Sequence, residues 1–299
     1  MTIQSAIDAW RDRIIAHDSE ATALRSGHGP GQDHHHDDHE DSKHDGGHVH
    51  GGHGGFSYTN RPRDVHRTDD PAVNGLFALI DSDTTVLDVG GGAGRFALPL
   101  ATRAKHVTVV EPSDEAVGIL RERAAAAGLS NITVVNERWE VADIATADLV
   151  LCSLVLHHVP EGAAFITKLQ ERASGRVAII EMMEPPSALE VPFYERVYGA
   201  VPTPMPGVPE LLDLLWAMDI HPDVTMLPPE TAVMGRDRDE ITSQIRRRLD
   251  VEEHTPEDSR LLAALDELLE ETPNGYTVTG IAPRRPAIIT WTTDLRAGK

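Results

Sequence analysis

One short stretch constrains this chain more than any other: Thr85-Val-Leu-Asp88-Val-Gly90-Gly-Gly92-Ala-Gly94-Arg-Phe96. Apolar and β-branched residues run into Asp88, and glycines at 90, 92 and 94 then turn the backbone toward a helical segment. Glycine has no Cβ, so such a turn adopts unusual dihedrals and lets a ligand lie against the main chain. A strand that ends this way and feeds a helix is the opening unit of an open α/β sheet. Such sheets bind ligands in the crevice at the carboxyl ends of their strands.

The flanking pattern agrees. Short runs rich in β-branched or apolar residues at 85–89, 106–110, 132–135, 149–153 and 177–180 predict strands. Helical stretches at 95–104 and 113–127 lie between them, the second closed by Gly128. This alternation predicts an α/β fold with a doubly wound, mostly parallel, Rossmann-like sheet. Asp70-Pro71 reads as a helix start, 211–218 as a helix, and 223–227 and 287–292 as two further strands. An amphipathic helix is predicted over residues 3–25, with Ile7, Trp10, Ile14 and Ile15 at helical spacing.

The chain divides into an N-terminal helix (1–26), a linker (27–55) and one α/β domain (56–299) whose ligand-binding core spans 70–184. Two insertions follow strands and can sit over the carboxyl edge; for the first, a lid with aromatic contacts and simple packing on the sheet both stay open. One, at about 185–210, is rich in proline and contains Phe193-Tyr-Glu-Arg-Val-Tyr198; the other, at about 229–272, is charged and reads as helical.

The linker is almost entirely His, Gly, Asp and Glu, and such a composition buries too little surface to offset its ordering entropy. It is expected to be disordered. Its imidazoles, among them His34, His35, His36, His39, His48, His50 and His53, are ligands for nickel, zinc, copper or cobalt. Their irregular spacing defines no fixed ligand count, so adventitious binding, a passive linker and metal buffering all stay open.

Formal net charge is −21, which sets the protein's field against a phosphate backbone and disfavours nucleic acid as partner. Cys152 is the single cysteine, so no disulfide framework is possible and a reducing cytoplasm is the expected compartment. No signal peptide and no uninterrupted apolar span of membrane-crossing length is visible, so no membrane association is expected.

Two cofactor classes use a glycine turn of this kind. The dinucleotide fingerprint G-x-G-x-x-G would require glycine where Arg95 stands, which disfavours a nicotinamide oxidoreductase. The loop instead reads as an acid followed by G-x-G-x-G, and Asp88 is a suitable neighbour for a cofactor's ammonium group. The second predicted strand ends in Glu111, where a carboxylate can accept both hydroxyls of a ribose.

With these residues the chain resembles the class I S-adenosylmethionine-dependent methyltransferases over residues 70–183 and 211–227. The resemblance implies cofactor contacts from Asp88, Gly90, Gly92, Gly94 and Glu111. It also places Leu149-Val-Leu-Cys-Ser-Leu-Val-Leu-His-His-Val159 at the fourth strand and its exit. The family usually carries an aspartate after the third strand for the adenine amine. Here that stretch is Asn136-Glu-Arg-Trp-Glu140, with Arg138 at the aspartate's place and Trp139 or Glu137 as substitutes.

His157 and His158 leave the fourth strand beside the expected methyl donor, and histidine titrates near neutrality, so a proton-handling role and a structural one both fit. Glu181 and Glu184, after the fifth strand, are the next candidates. The Asn/Asp-Pro-Pro-aromatic signature of many base and amide N-methyltransferases is absent after strand four, where Cys152-Ser-Leu-Val stands. The expected function is methyl transfer from S-adenosylmethionine to a small-molecule oxygen or nitrogen. The alternative is a metal-handling or sensory protein with a non-catalytic cofactor domain.

Overall fold

In a computed structural model the chain is described over residues 2–27 and 63–293. The histidine-rich segment, and with it His34, His35, His36, His39, His48, His50 and His53, lies outside the described residues.

Helix α1 (Ile3–Arg25) starts at Thr2, whose hydroxyl accepts from the Ser5 N–H. Helix α2 (Pro71–Phe77) starts at Asp70, whose carboxylate accepts from the Ala72 and Val73 N–H groups, with proline in the first turn where no donor is needed. The alternating core follows: β1 (Thr85–Val89), α3 (Ala97–Ala101), β2 (His106–Val110), α4 (Asp114–Ala126), β3 (Ile132–Val135), β4 (Ala147–Ser153), α5 (Gly162–Arg172) and β5 (Ala173–Met182). Then come α6 (Val191–Tyr198), α7 (Val208–Ala217), β6 (Asp223–Met226), α8 (Arg238–Leu249), α9 (Pro256–Leu268), β7 (Leu269–Thr272), β8 (Gly275–Val278) and β9 (Pro286–Thr292).

Seven strands form one sheet in the order β3-β2-β1-β4-β5-β9-β6. The pairs from β3 to β5 are parallel, and β9 runs antiparallel between β5 and β6. Chain order reverses between β1 and β4, which opens a crevice at their carboxyl ends. This is the doubly wound, mostly parallel sheet that the strand–helix alternation predicts.

Alternating strand residues feed opposite faces. Leu87, Val89, Val150, Cys152, Val177 and Ile179 pack with Trp10 and Ile14 of α1 and with α5 and α7. Val86, Val107, Val109, Leu149, Leu151 and Ala178 pack with α2, α3 and α4 on the other face. Each fully buried aliphatic side chain contributes about 1.5–3 kcal/mol. A third cluster joins Phe193 and Tyr194 of α6 to α8, α9 and the end of α1.

Two details depart from the sequence pattern. Ile15 shares the helical spacing of Trp10 and Ile14, yet it is exposed because the buried stripe runs through Ala6, Trp10, Ile14, Ala21 and Leu24. The segment expected as helical through 272 instead ends in a β7–β8 hairpin. Its turn is Thr272-Pro-Asn-Gly275, with Gly275 at φ 122°, so turn chemistry prevails over the charged helical composition before it.

Candidate functional site

The site begins at Asp88, the penultimate residue of β1. Its carboxyl is buried, and Oδ2 has no hydrogen-bond partner among the described residues. Burial first, and then the nearby Glu111 carboxylate, push its pKa up to about 7, against a hydrogen bond from the Ala97 main chain. A buried carboxyl with one oxygen left unpartnered is costly unless a ligand compensates it.

The glycine loop follows with φ angles of 71° at Gly90, 55° at Gly92 and 86° at Gly94. Space, as well as angle, demands glycine at two of these. A Cβ on Gly90 would stand 2.5 Å from Cγ2 of Val155, and one on Gly94 would stand 2.4 Å from Cδ1 of Leu120. The loop is therefore wedged between the β4 exit and α4, which fixes its main chain.

Glu111 leaves the end of β2 and ties the two strand ends together. Its Oε2 accepts from the Gly92 N–H and its Oε1 from the Ser113 N–H, both at 2.9 Å. Each oxygen retains a further lone pair for a hydroxyl donor. Asn136, at the β3 exit, donates to the Glu111 and Pro112 carbonyls at 3.2 Å. The arrangement fits a cofactor with ribose hydroxyls and a cationic end: two carboxylates flank a loop of narrow, fixed backbone. A pyrophosphate would face both of those acids.

At the exit of β3 the expected residues separate. Arg138 is exposed and pairs with Glu140 at 3.4 Å. Trp139 is buried, tilted against Phe165 with ring centroids 6.0 Å apart, and covered by the Lys168 ammonium 4.6 Å from its ring centre. Lys168 also donates to the carbonyls of Trp139, Glu140 and Ala142, which fixes this loop from outside.

The histidine pair also separates. A 3-10 turn at Leu156–His158 turns His157 inward, where Nδ1 meets Oε2 of Glu181 at 3.0 Å. Both residues are about 98% buried or more, and Glu181 Oε1 takes the Met182 N–H at 3.0 Å. A carboxylate only accepts, so Nδ1 carries a proton. His158 is exposed, its ring tilted 51° to that of His157 with centroids 4.3 Å apart. Glu184 pairs with Arg285.

Sequence reasoning missed the backbone of Leu154, which has φ 55°, an uncommon conformation for a leucine, immediately after β4 and next to Val155. It also missed the union of Glu181 with His157, which no spacing rule signals. Among the described residues no cluster of His, Cys, Asp and Glu fit to hold a metal ion is present, and no helix is long and apolar enough to cross a membrane.

Sheet order, switch point and acid-flanked glycine loop define a Rossmann-like α/β domain. Residues 86–173 match the family model described as a methyltransferase domain. The 23S rRNA (uracil(1939)-C(5))-methyltransferase RlmD of Klebsiella pneumoniae is 48% identical over 61 residues, 20% of this chain and 14% of that protein. The ubiquinone biosynthesis O-methyltransferase of Methylocella silvestris is 36% identical over 82 residues, 27% of this chain and 32% of that one. The chain thus spans only a minor part of these curated relatives. In fold it is similar to the YcgJ protein of Bacillus subtilis, with a TM-score of 0.52, 15% identity, and coverage of 74% of this chain and 98% of that one.

Proposed function

We propose that this protein transfers the methyl group of S-adenosylmethionine to an oxygen or nitrogen of a small-molecule acceptor. The observation that carries the reading is Glu111, whose two oxygens fix the Gly92 and Ser113 N–H groups and keep lone pairs for a ribose. Asp88, Gly90, Gly92, Gly94 and Glu111 hold the cofactor, with Asp88 toward its cationic amino-acid end. Arg138 and Trp139 border the adenine side.

When bound, the cofactor supplies a methyl group already activated by its sulfonium. What remains for the chain is placement and exclusion of water, which supply most of the rate in such a reaction. His157, anchored on Glu181, is a positioning residue that fixes the exit of β4 against the glycine loop. His158 lies on the exposed side of that turn. A small acceptor is favoured over RNA by the net charge of −21, since a polyanion would approach against the protein's field.

The test is calorimetry followed by a transfer assay. S-adenosylmethionine and S-adenosylhomocysteine bind at micromolar concentration and nicotinamide dinucleotides do not. Asp88→Ala, Gly92→Val and Glu111→Ala each weaken binding at least tenfold, about 1.4 kcal/mol. Transfer is then sought to a panel of phenols, carboxylates and amines beside ribosomal RNA fragments. Unchanged affinity in all three variants overturns the site, and transfer to RNA alone overturns the small-molecule acceptor.

A further inference from the structure

Where β5 leaves the sheet, Met183 opens onto a cavity of about 320 Å³ walled by α1, α6 and the loop before α7. That volume is within the range of small-molecule sites. It lies on the carboxyl edge, as the glycine loop does, and β4 is the single strand between β1 and β5. Two strand spacings are about 10 Å, so cavity and cofactor loop are neighbours on one edge.

The charges on its wall cancel. Arg13 of α1 pairs with Glu210 at 3.4 Å, Glu210 also accepts the Gly207 N–H at 2.9 Å, and Glu184 is paired with Arg285. Met183, Val191 and Met205 supply apolar surface. His17, Ser187 and Tyr194 bring polar functions to the same wall. His17 of α1 meets the Thr203 carbonyl through Nδ1 at 2.7 Å. A carbonyl only accepts, so Nδ1 carries the proton and Nε2 of the neutral ring is an acceptor, with no partner among the described residues. The geometry is built rather than incidental: Glu20, one turn further along α1, takes both the N–H and the hydroxyl of the same Thr203, at 2.6 and 3.1 Å.

We propose that this cavity binds the methyl acceptor, that the acceptor is an uncharged, largely apolar ring compound with one hydroxyl or N–H donor, and that His17 Nε2 receives that donor. The proposal rests on the methyltransferase reading for the word acceptor, but the binding site stands on its own residues. A neutral wall rejects carboxylates and phosphates, since a buried anion would lack a counter-charge. The His17 acceptor selects a donor-bearing ring over its capped analogue, because the analogue leaves Nε2 unpaired.

The experiment uses the full chain without cofactor and three probes: 2-naphthol, 2-methoxynaphthalene and naphthalene-2-sulfonate, each titrated by calorimetry and by ligand-observed NMR. 2-Naphthol binds, the methoxy analogue binds at least tenfold more weakly, and the sulfonate does not bind. His17→Phe keeps the ring shape and erases the difference between the first two. His17→Gln, which retains an amide donor for Thr203 and an oxygen acceptor, restores part of it. Circular dichroism confirms that both variants fold. No binding of naphthol, a preference that survives in folded His17→Phe, or tighter binding of the sulfonate overturns the proposal. Cofactor affinity is measured in parallel. Naphthol selectivity without cofactor binding would leave the cavity standing and sink the methyltransferase reading, and cofactor binding without naphthol selectivity would do the reverse.

Discussion

Trp10 in α1 donates its indole N–H to the carbonyl of Val159 at 2.8 Å, and the ring lies so close over α5 that a Cβ on Gly162 would stand 2.5 Å from its Nε1. Arg11 adds a two-pronged pair with Glu161 at 3.0 and 2.7 Å. The N-terminal helix is thereby a wall of the domain core rather than an appendage. Trp10→Ala removes a buried aromatic and is expected to cost about 3–5 kcal/mol, read as a lower urea midpoint at unchanged slope. Gly162→Ala should also destabilise, through the clash alone. A Trp10→Ala loss below about 1 kcal/mol would mean that α1 does not pack as described.

The Asp88 carboxyl makes stability fall with rising pH. Its folded pKa of about 7 lies above the ordinary 3.8, so between these values the folded state holds more protons than the unfolded one. Stability contributed by the protonated form is then lost as pH climbs through that window. Asp88→Asn cannot ionise, and its melting temperature is expected to be flatter from pH 4.5 to 7.5 than that of the wild type. Binding of a cationic cofactor favours the ionised carboxylate, so wild-type affinity should rise over the same range. Parallel pH profiles for the two proteins would remove Asp88 as the titrating group.

Much of the cofactor half was legible because it is local. The strands β1, β2 and β3 fall where the apolar runs place them, and the loop residues Gly90 and Gly94 are glycines for reasons that backbone angle and space make plain. What stayed hidden depends on contacts distant in sequence. His17 and Thr203 lie 186 positions apart, His157 and Glu181 lie 24 apart, and neither pairing follows a helical or strand period. The β7–β8 hairpin was obscured differently, by a Pro-Asn-Gly turn embedded in a charged stretch. At Arg138, where the resemblance implies an aspartate, the structure puts an exposed side chain paired locally to Glu140.

Gly90 and Val155 offer a test of the loop's wedge. Gly90→Ala introduces a Cβ 2.5 Å from a Val155 methyl at a φ of 71°. Two penalties follow: left-handed strain of about 1–2 kcal/mol and the steric conflict. Val155→Ala in the same chain removes only the second. The double variant is expected to recover part, not all, of the melting temperature and cofactor affinity lost in Gly90→Ala. Strictly additive losses in the pair would show that the two residues do not touch.

The buried pair of His157 and Glu181 separates a positioning role from proton transfer. Truncating one partner of a buried hydrogen-bonded pair leaves the other unsatisfied, at a cost of about 3–5 kcal/mol if it stays charged. His157→Ala is therefore expected to lower the melting temperature severely, whereas Glu181→Gln, which keeps a carbonyl acceptor for Nδ1–H, should be milder. His157→Gln preserves an amide donor toward Glu181 and serves as the kinetic probe. If His157 positions the β4 exit, this variant keeps turnover within tenfold of wild type, and its loss appears mainly in cofactor affinity. A side chain that carries the proton contributes about 10²–10⁴-fold, and no amide replaces it. A fall in turnover of that size, with stability and S-adenosylmethionine affinity intact, would move His157 from the scaffold to the chemistry and displace the positioning role.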